Sequence, residues 1–220
     1  MVIAIDGPAG SGKSTVAKLL AEQLKGRGGL NWTYINSGNL YRAITLGCLN
    51  AGIEPADSEK VPAFARQAVL DYREDRVFLD NIDVTDKLRT DEIDQFSAPL
   101  SALVPVRHII NDKIRKMAEN LSLIVEGRDM TTVVFPKAEC RFYLDASVSS
   151  RAKRRFEQGV SSLSLEEILE AIRKRDNIDK NKIEGSLILA PGVEYLDTSD
   201  LTINEVCDTL VDIIIRKLQL

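Results

Sequence analysis

The sequence predicts an α/β fold built on a five-stranded parallel sheet, because apolar strand-like runs alternate with helical stretches along the 220 residues. The interval over residues 38–120 is too long for one crossover helix between two strands of the sheet, so we expect it to form a separate inserted region. Inside it, two short apolar runs flank Asp80-Asn81, which predicts a small hairpin over residues 76–84. The sheet strands are predicted at residues 2–6, 32–36, 122–126, 140–145 and 193–197.

The glycine-rich segment after the first strand is the most informative feature of the chain. It reads Gly7-Pro-Ala-Gly-Ser-Gly-Lys-Ser14, the G-x-x-x-x-G-K-S pattern of a phosphate-binding P-loop. Glycines let the backbone turn its N–H groups inward, and the helix that follows adds its positive end. We therefore predict that the phosphates of a nucleoside triphosphate are bound by Gly7, Pro8, Ala9, Gly10, Ser11, Gly12, Lys13, Ser14 and Thr15.

Two side chains of this loop carry chemistry. Lys13 would reach the β- and γ-phosphates as a point charge, and the Ser14 hydroxyl would complete the shell of a Mg²⁺ ion on the same phosphates. A P-loop indicates only that a nucleoside triphosphate is bound, so the reaction has to be inferred from the rest of the chain.

Composition disfavours several classes of function. The chain is 44% hydrophobic and 28% charged, and its net charge of −4 gives no general attraction to nucleic acid or anionic lipid. No run approaches the roughly twenty apolar residues of a membrane span, so we expect a cytoplasmic protein without a membrane or nucleic-acid partner. Cys48, Cys140 and Cys207 are far apart and predict reduced core thiols, while the single histidine, His108, argues against a histidine triad or metal centre.

Charged side chains follow two of the predicted strands. Arg42 comes after the second strand, and Arg128 and Asp129 come after the third. The carboxyl ends of the strands form the ligand-binding edge of an open α/β sheet. Because each arginine lies close to a glycine, we expect these loops to build a pocket for a phosphate group.

Two arginine-rich stretches predict a pair of helices in the C-terminal half. Their charged faces are either a salt-bridged, solvent-facing surface or a lid whose arginines neutralise phosphates as it closes and excludes water. Gly159 and the serines within residues 160–164 would form the turn between the helices. At helical spacing, the two faces consist of Arg151, Arg154 and Arg155 on the first helix and Arg175, Asp179 and Lys182 on the second.

Together, the P-loop, Ser-Gly-x-x-Tyr-Arg at 37–42, Gly-Arg-Asp-Met-x-Thr-Val-Val-Phe-Pro at 127–136 and Arg-Asp-x-x-Asp at 175–179 resemble the bacterial cytidylate kinase family. The resemblance spans nearly the whole chain. It implies a nucleoside monophosphate kinase that transfers the γ-phosphoryl group of ATP, with Mg²⁺, to CMP or dCMP, and we expect a monomer. The implied organisation is a P-loop core at 1–37, 121–149 and 183–220, a nucleoside-monophosphate-binding region at 38–120 and a lid at 150–182.

The resemblance also implies a role for each matched residue. A carboxylate and a guanidinium suit cytosine, which offers an amino donor at N4 and acceptors at N3 and O2. Phosphoryl transfer would rest on Lys13, Arg128, Asp129, Arg151 and Arg155, with Ser14 at the metal. Within the CMP site, the resemblance assigns the phosphate to Arg42, Arg128 and Lys182, and the sugar to Ser37, Arg175 and Asp179. The base would be contacted by Arg107 and Asp129, assisted by Ser97 or its neighbour Ala98, and Tyr41 would also belong to the CMP site.

Four positions depart from the pattern that the resemblance implies: Lys182 replaces an arginine, Asn36 and Glu126 replace aspartates, and Thr131 replaces a glycine. Lysine keeps the charge but loses the two parallel donors of a guanidinium, so we expect a changed affinity and the same reaction.

Three alternatives remain open. The chain could be another small-molecule kinase, acting on UMP, AMP or shikimate. It could be a regulatory GTPase, although that class needs N-K-x-D and residues 181–184 read N-K-I-E. A nucleic-acid-binding ATPase would need a basic stripe or aromatic platform, which the acidic charge balance and 5% aromatic content disfavour.

Overall fold

The computed structural model describes residues 1–73, 75–159 and 163–220. The chain divides into two compact units, of which unit 1 comprises Met1–Tyr34 and Leu121–Leu220, and unit 2 comprises Ile35–Asn120. Most of the predicted turn between the two basic helices, residues 160–162, lies outside the described residues. In the described part of the chain, no helix has the length and apolar character needed to cross a membrane.

The order of elements follows the predicted α/β alternation. In chain order the strands are β1 Val2–Asp6, β2 Trp32–Asn36, β3 Leu70–Arg73, β4 Arg76–Leu79, β5 Ile82–Asp83, β6 Ser122–Gly127, β7 Cys140–Asp145 and β8 Glu194–Asp197. The α-helices are α1 Lys13–Gln23, α2 Ser37–Asn50, α3 Lys60–Gln67, α4 Asp91–Leu100, α5 Val104–Ala118, α6 Val148–Glu157, α7 Leu165–Lys180 and α8 Ile203–Leu218.

A five-stranded sheet in the order β2-β6-β1-β7-β8 organises unit 1. Its middle strand β1 pairs in parallel with β6 and with β7, and β7 pairs in parallel with β8. The β1 side chains Ile3 and Ile5 are fully buried, because helices α1 and α8 contribute apolar residues to the same core. The predicted five-stranded parallel fold is confirmed, and it brings the segments after β1, β6 and β7 to one edge of the sheet.

Helix ends in unit 1 follow the sequence signals. Capping boxes begin α7 at Ser164 and α8 at Thr202, each with a glutamate three residues later bonded back to the cap. The apolar stripe of α8 is buried, as Val206, Leu210 and Ile214 show. This helix therefore serves the core, as its periodicity predicts.

Unit 2 contains an antiparallel three-stranded sheet, β3-β4-β5, among helices. The predicted hairpin is present, and Asp80 and Asn81 adopt the left-handed conformation at its turn, with φ of 51° and 65°. The strand β3, which pairs with β4 from Leu70 opposite Leu79, is an addition that the sequence analysis did not predict.

The three cysteines are buried and unbridged, which agrees with the sequence prediction. Cys48 lies on α2 in unit 2, whereas Cys140 on β7 and Cys207 on α8 lie in unit 1.

Candidate functional site

The P-loop joins β1 to α1 through glycines that no other residue could replace without strain. Gly7 has φ of 149°, and a Cβ atom there would lie 2.0 Å from the Leu144 carbonyl oxygen. Gly10 has φ of 81°, and its Cβ would lie 3.2 Å from that of Arg151. The loop is therefore packed tightly against β7 and α6, which leaves its backbone N–H groups in a fixed arrangement.

Lys13 is almost fully buried at the first position of α1. Its Nζ donates a hydrogen bond of 2.7 Å to the Pro8 carbonyl oxygen and a longer one of 3.4 Å to the Ser11 Oγ. Burial, followed by the positive charge of Arg128, lowers the pKa of Lys13 to about 7, although nearby carboxylates oppose the shift. Of the remaining loop residues with hydroxyl groups, Ser14 is half-buried and Thr15 is exposed.

Three of the predicted substrate residues form one ionic cluster in unit 1. Asp179 accepts hydrogen bonds of 2.7 Å from the Arg128 Nε and 2.8 Å from the Lys182 Nζ, one on each carboxylate oxygen. Burial disfavours the charged form of Asp179, but Arg128, Lys182 and Arg175 outweigh it and hold the pKa of this carboxyl well below its usual range. Asp179 thus pairs with two of the three cations assigned to the monophosphate, Arg128 and Lys182.

The path of the chain at Lys182 differs from the expectation. Helix α7 ends at Lys180, and the Asn181 side chain donates to the Asn177 carbonyl oxygen at 2.7 Å. Lys182 therefore lies beyond the helix and reaches Asp179 from the following segment. The predicted common helical face is wrong for Lys182, whereas Arg175 and Asp179 do belong to α7.

Arg151 is buried on α6 with a side-chain exposure of 3%. Its guanidinium forms a bidentate pair with Asp176 of α7, at 3.0 and 2.6 Å, and donates to the carbonyl oxygens of Ala146 at 2.9 Å and Ala9 at 3.1 Å. The Arg151 side chain therefore links both basic helices to the P-loop. It does not lie on a solvent-facing surface, which was one of the two alternatives that the sequence left open. Arg155 is half-buried on the same helix.

The loop after β6 brings Asp129 into unit 1 as a buried residue. It leads into a π-helical turn over Met130–Val134, whose first two backbone N–H groups both bond to Asp6. Nearby, the buried Glu126 carboxylate accepts a hydrogen bond of 2.6 Å from the Tyr34 hydroxyl.

The other predicted substrate residues lie in unit 2, starting with the first turn of α2. Ser37 is buried at the first helical position, and Asn36 caps the helix by accepting from the Asn39 backbone N–H at 3.2 Å. The Tyr72 hydroxyl of β3 accepts from the Asn36 N–H at 3.3 Å and donates to the Asn36 carbonyl oxygen at 3.1 Å. The start of α2 is thus anchored to the small sheet.

Arg42, one turn further along α2, is held from two sides. It donates to the Leu88 carbonyl oxygen at 2.8 Å and forms an ion pair with Asp94 of α4. Ser97 is buried on α4, where its hydroxyl lies 3.4 Å from the Asp94 carbonyl oxygen. Arg42 therefore also has a carboxylate partner, as Arg128 does in unit 1.

Arg107 is buried on α5 and donates to the Ser101 carbonyl oxygen at 2.8 Å. Its guanidinium carbon lies 5.7 Å from the centre of the Tyr41 ring, so two residues assigned to the CMP site are in contact. Ser37, Tyr41, Arg42, Ser97 and Arg107 thus belong to unit 2.

Sequence reasoning missed Asp6, Asp94 and Asp176, the carboxylates that bind the candidate loops and arginines. A signal existed for Asp6, since it is the single charged residue at the end of an otherwise apolar strand. Asp176 belongs to the Arg-Asp-x-x-Asp motif at 175–179, which marked the segment but gave this carboxylate no role, and Asp94 stands among other charged residues on a helix, where spacing alone could not distinguish it.

Comparison with known proteins assigns the chain to a family. The cytidylate kinase family model matches residues 3–216. A cytidylate kinase from Caldanaerobacter subterraneus subsp. tengcongensis is 41% identical over 215 residues, which cover 96% of this chain and 93% of the relative. Another from Mycobacterium leprae is 38% identical over 221 residues, with coverage of 99% and 96%. A solved but uncharacterised protein from Eubacterium ventriosum shares the fold, with a TM-score of 0.56 at 14% identity over 97% of this chain and 98% of that one. The chain, with its P-loop and arginine–carboxylate clusters, therefore belongs to the cytidylate kinase family.

Proposed function

We propose that this protein transfers the γ-phosphoryl group of ATP to CMP or dCMP, giving CDP or dCDP. The observation that carries the proposal is that unit 1 holds two groups of cations, the buried Lys13 of the P-loop and the pair Arg128 and Lys182 bonded to Asp179. A transfer between two phosphate groups requires cations for the donor and for the acceptor, held side by side. Family membership indicates which acceptor the second group serves.

The donor half of the site is the P-loop, from Gly7 to Thr15. Its backbone N–H groups would bind the phosphate oxygens, and Lys13 would exchange the Pro8 carbonyl oxygen for the β- and γ-phosphates. Because Lys13 is buried, its charge would act on the phosphates with little screening by water.

Magnesium would accompany ATP. Within the described residues, no three histidine, cysteine or acidic side chains gather as a metal cage. This fits Mg²⁺, which commonly takes one or two protein oxygens and completes its shell with phosphates and water. The half-buried Ser14 hydroxyl would hold it, and the bound ion would supply neutralisation of phosphate charge.

The acceptor phosphate would be bound by Arg42, Arg128 and Lys182. Each of these cations is paired with a carboxylate, Asp94 or Asp179, so the substrate phosphate would share or replace those pairs. Transfer would then proceed by in-line attack of a CMP phosphate oxygen on the γ-phosphorus, without a covalent enzyme intermediate.

Recognition of the nucleoside would use the remaining residues. Since Asp129 and Arg107 are both buried, a mismatched base would leave their polar groups unsatisfied. Tyr41 would support Arg107 through the contact described above. The assignments are Arg107, Asp129, Ser97 and Tyr41 for cytosine, and Ser37, Arg175 and Asp179 for the sugar.

We assign α6 and α7 to a lid over residues 150–182. The Arg151–Asp176 pair joins the two helices, and Ala152, Ile168 and Ile172 pack together between them. Because Arg151 already donates four hydrogen bonds to protein acceptors, we assign it to shaping the P-loop through Ala9, and Arg155 to the triphosphate on closure.

The test is a coupled assay of ADP formation with CMP, dCMP, UMP and AMP. We expect CMP and dCMP to be preferred over UMP by about ten- to hundred-fold for each unsatisfied group. Asp129→Ala should lose much of this preference by impairing CMP, whereas Arg128→Ala should impair CMP and UMP alike. Equal use of all four substrates would instead favour a nucleoside monophosphate kinase of different specificity.

A further inference from the structure

The Asp6 carboxylate at the end of β1 is fully buried and receives three hydrogen bonds from one loop. Its Oδ1 accepts from the Met130 backbone N–H at 2.8 Å. Its Oδ2 accepts from the Thr131 backbone N–H at 2.7 Å and from the Thr131 hydroxyl at 2.6 Å. The last of these bonds is the only one of the three that depends on the type of side chain donating it.

The bonds between Asp6 and residues 130 and 131 join the P-loop, which would bind ATP, to the loop after β6, which would bind CMP. Asp6 directly precedes Gly7, the first residue of the P-loop, and Met130 directly follows Arg128-Asp129. A bond from Asp6 to residues 130 and 131 therefore fixes the backbone of the loop that carries the phosphate and cytosine contacts. Glycine at position 131, which the family resemblance implies, could supply the N–H but no hydroxyl.

Keeping a carboxylate in this place is unfavourable. Burial raises the pKa of Asp6 to about 6 even though the bonds from Thr131 and Met130 oppose the shift, and the charge of Asp129 adds to it. Asp6 also acts electrostatically on Lys13 of α1, Arg128 of the loop and Tyr143 of β7. An apolar side chain would serve packing with less cost, so the carboxylate points to a use in holding the loop.

We propose that Asp6 and Thr131 are positioning residues, and that the Thr131 hydroxyl sets the placement of Asp129 and thereby the selectivity for cytosine. The inference rests on the proposed function, because it concerns how the CMP-binding loop is held. Thr131 itself is fully buried and bonded to Asp6, so its role would act through the neighbouring residues 128 and 129.

The test compares Thr131→Val, which keeps the shape but removes the donor, with Thr131→Ser, which keeps the hydroxyl. The neighbouring Thr132→Val is a matched control, because the Thr132 hydroxyl is also buried but has no hydrogen-bond partner among the residues that the structure describes. Steady-state kinetics would be measured for each variant with CMP and UMP at saturating ATP, and for ATP at saturating CMP.

We expect Thr131→Val to raise KM for CMP by about ten-fold and to reduce the preference for CMP over UMP, because a displaced Asp129 would lose about one hydrogen bond to the base. Thr131→Ser should restore most of both values, KM for ATP should change little, and Thr132→Val should resemble the wild type. An unchanged KM for CMP and unchanged base preference in Thr131→Val would overturn the proposal.

The test still distinguishes the two possibilities if Thr131→Val fails to fold or if the wild type prefers another substrate. If Thr131→Val does not fold, Thr131→Ala removes the same hydroxyl and carries the same expectation. If the wild type prefers a monophosphate other than CMP, the substrate assignment is wrong, but the variants are then measured on the preferred substrate. A normal KM for that substrate in the hydroxyl-free variants would refute the positioning role separately.

Discussion

Binding of ATP should be accompanied by uptake of a proton at Lys13. In the unliganded protein this lysine has a pKa of about 7, against an ordinary value of 10.5, because burial and the charge of Arg128 disfavour the ammonium form. The two pKa values differ by about 3.5, so a charged Lys13 lowers the free energy of unfolding by roughly 5 kcal/mol. Since the unfolded chain keeps its proton up to pH 10.5, stability should rise as the pH increases from about 7 to 10.5.

The negative phosphates of ATP would favour the charged form of Lys13 again. At pH 8, about nine-tenths of the unliganded molecules carry a neutral Lys13, and contact with polyphosphate should return the pKa toward 10.5. The uptake should therefore be about 0.9 proton per ATP bound at pH 8, where the phosphates themselves are ionised.

Isothermal titration calorimetry in buffers of different ionisation enthalpy measures this number directly, as the slope of binding enthalpy against buffer enthalpy. Lys13→Arg is the matched control, because arginine stays charged throughout and should bind ATP without taking up a proton. A wild-type enthalpy that is independent of the buffer at pH 8 would refute the reasoning. So would an equal slope in Lys13→Arg.

Three further predictions concern the ionic pairs. Lys182→Arg should lower KM for CMP and Lys182→Ala should raise it, because only the guanidinium offers two parallel donors; equal KM values in all three forms would make position 182 irrelevant to phosphate. Asp94→Asn should lower KM for CMP by about three-fold, since it removes a negative charge beside Arg42 while keeping an acceptor; a rise would show that the charge is needed to position Arg42. Asp176→Ala should destabilise the fold by about 3–5 kcal/mol, because it leaves the buried Arg151 charge without its carboxylate, and thermal unfolding should shift by on the order of 10 °C. A shift below about 3 °C would mean that the carbonyl partners of Arg151 suffice.

The main sheet could be predicted from the sequence because its strands are short apolar runs separated by helices. The strand β3 could not, since Leu70–Arg73 offers only two apolar side chains and is stabilised by pairing with β4. The end of α7 was also missed: the spacing of Lys182 continues the helical pattern, but the helix closes at Lys180. Pairing and helix ends both depend on contacts that a linear pattern does not contain.

Much of the candidate site could be predicted for a similar reason, because the P-loop and the Arg128-Asp129 segment are contiguous motifs. The partners of the arginines could not. Arg151 and Asp176 are far apart in sequence, and only the packing of α6 on α7 brings them together.

The burial of all three cysteines gives this protein an internal reporter of unfolding. Burial raises the thiol pKa of Cys48, Cys140 and Cys207 to about 11, so at pH 8 only about one in a thousand would be a reactive thiolate. Alkylation by iodoacetamide should therefore proceed only through opening of the structure. Because Cys48 lies in unit 2 and the other two lie in unit 1, mass spectrometry of alkylated peptides would time the opening of each unit separately, without any engineered label.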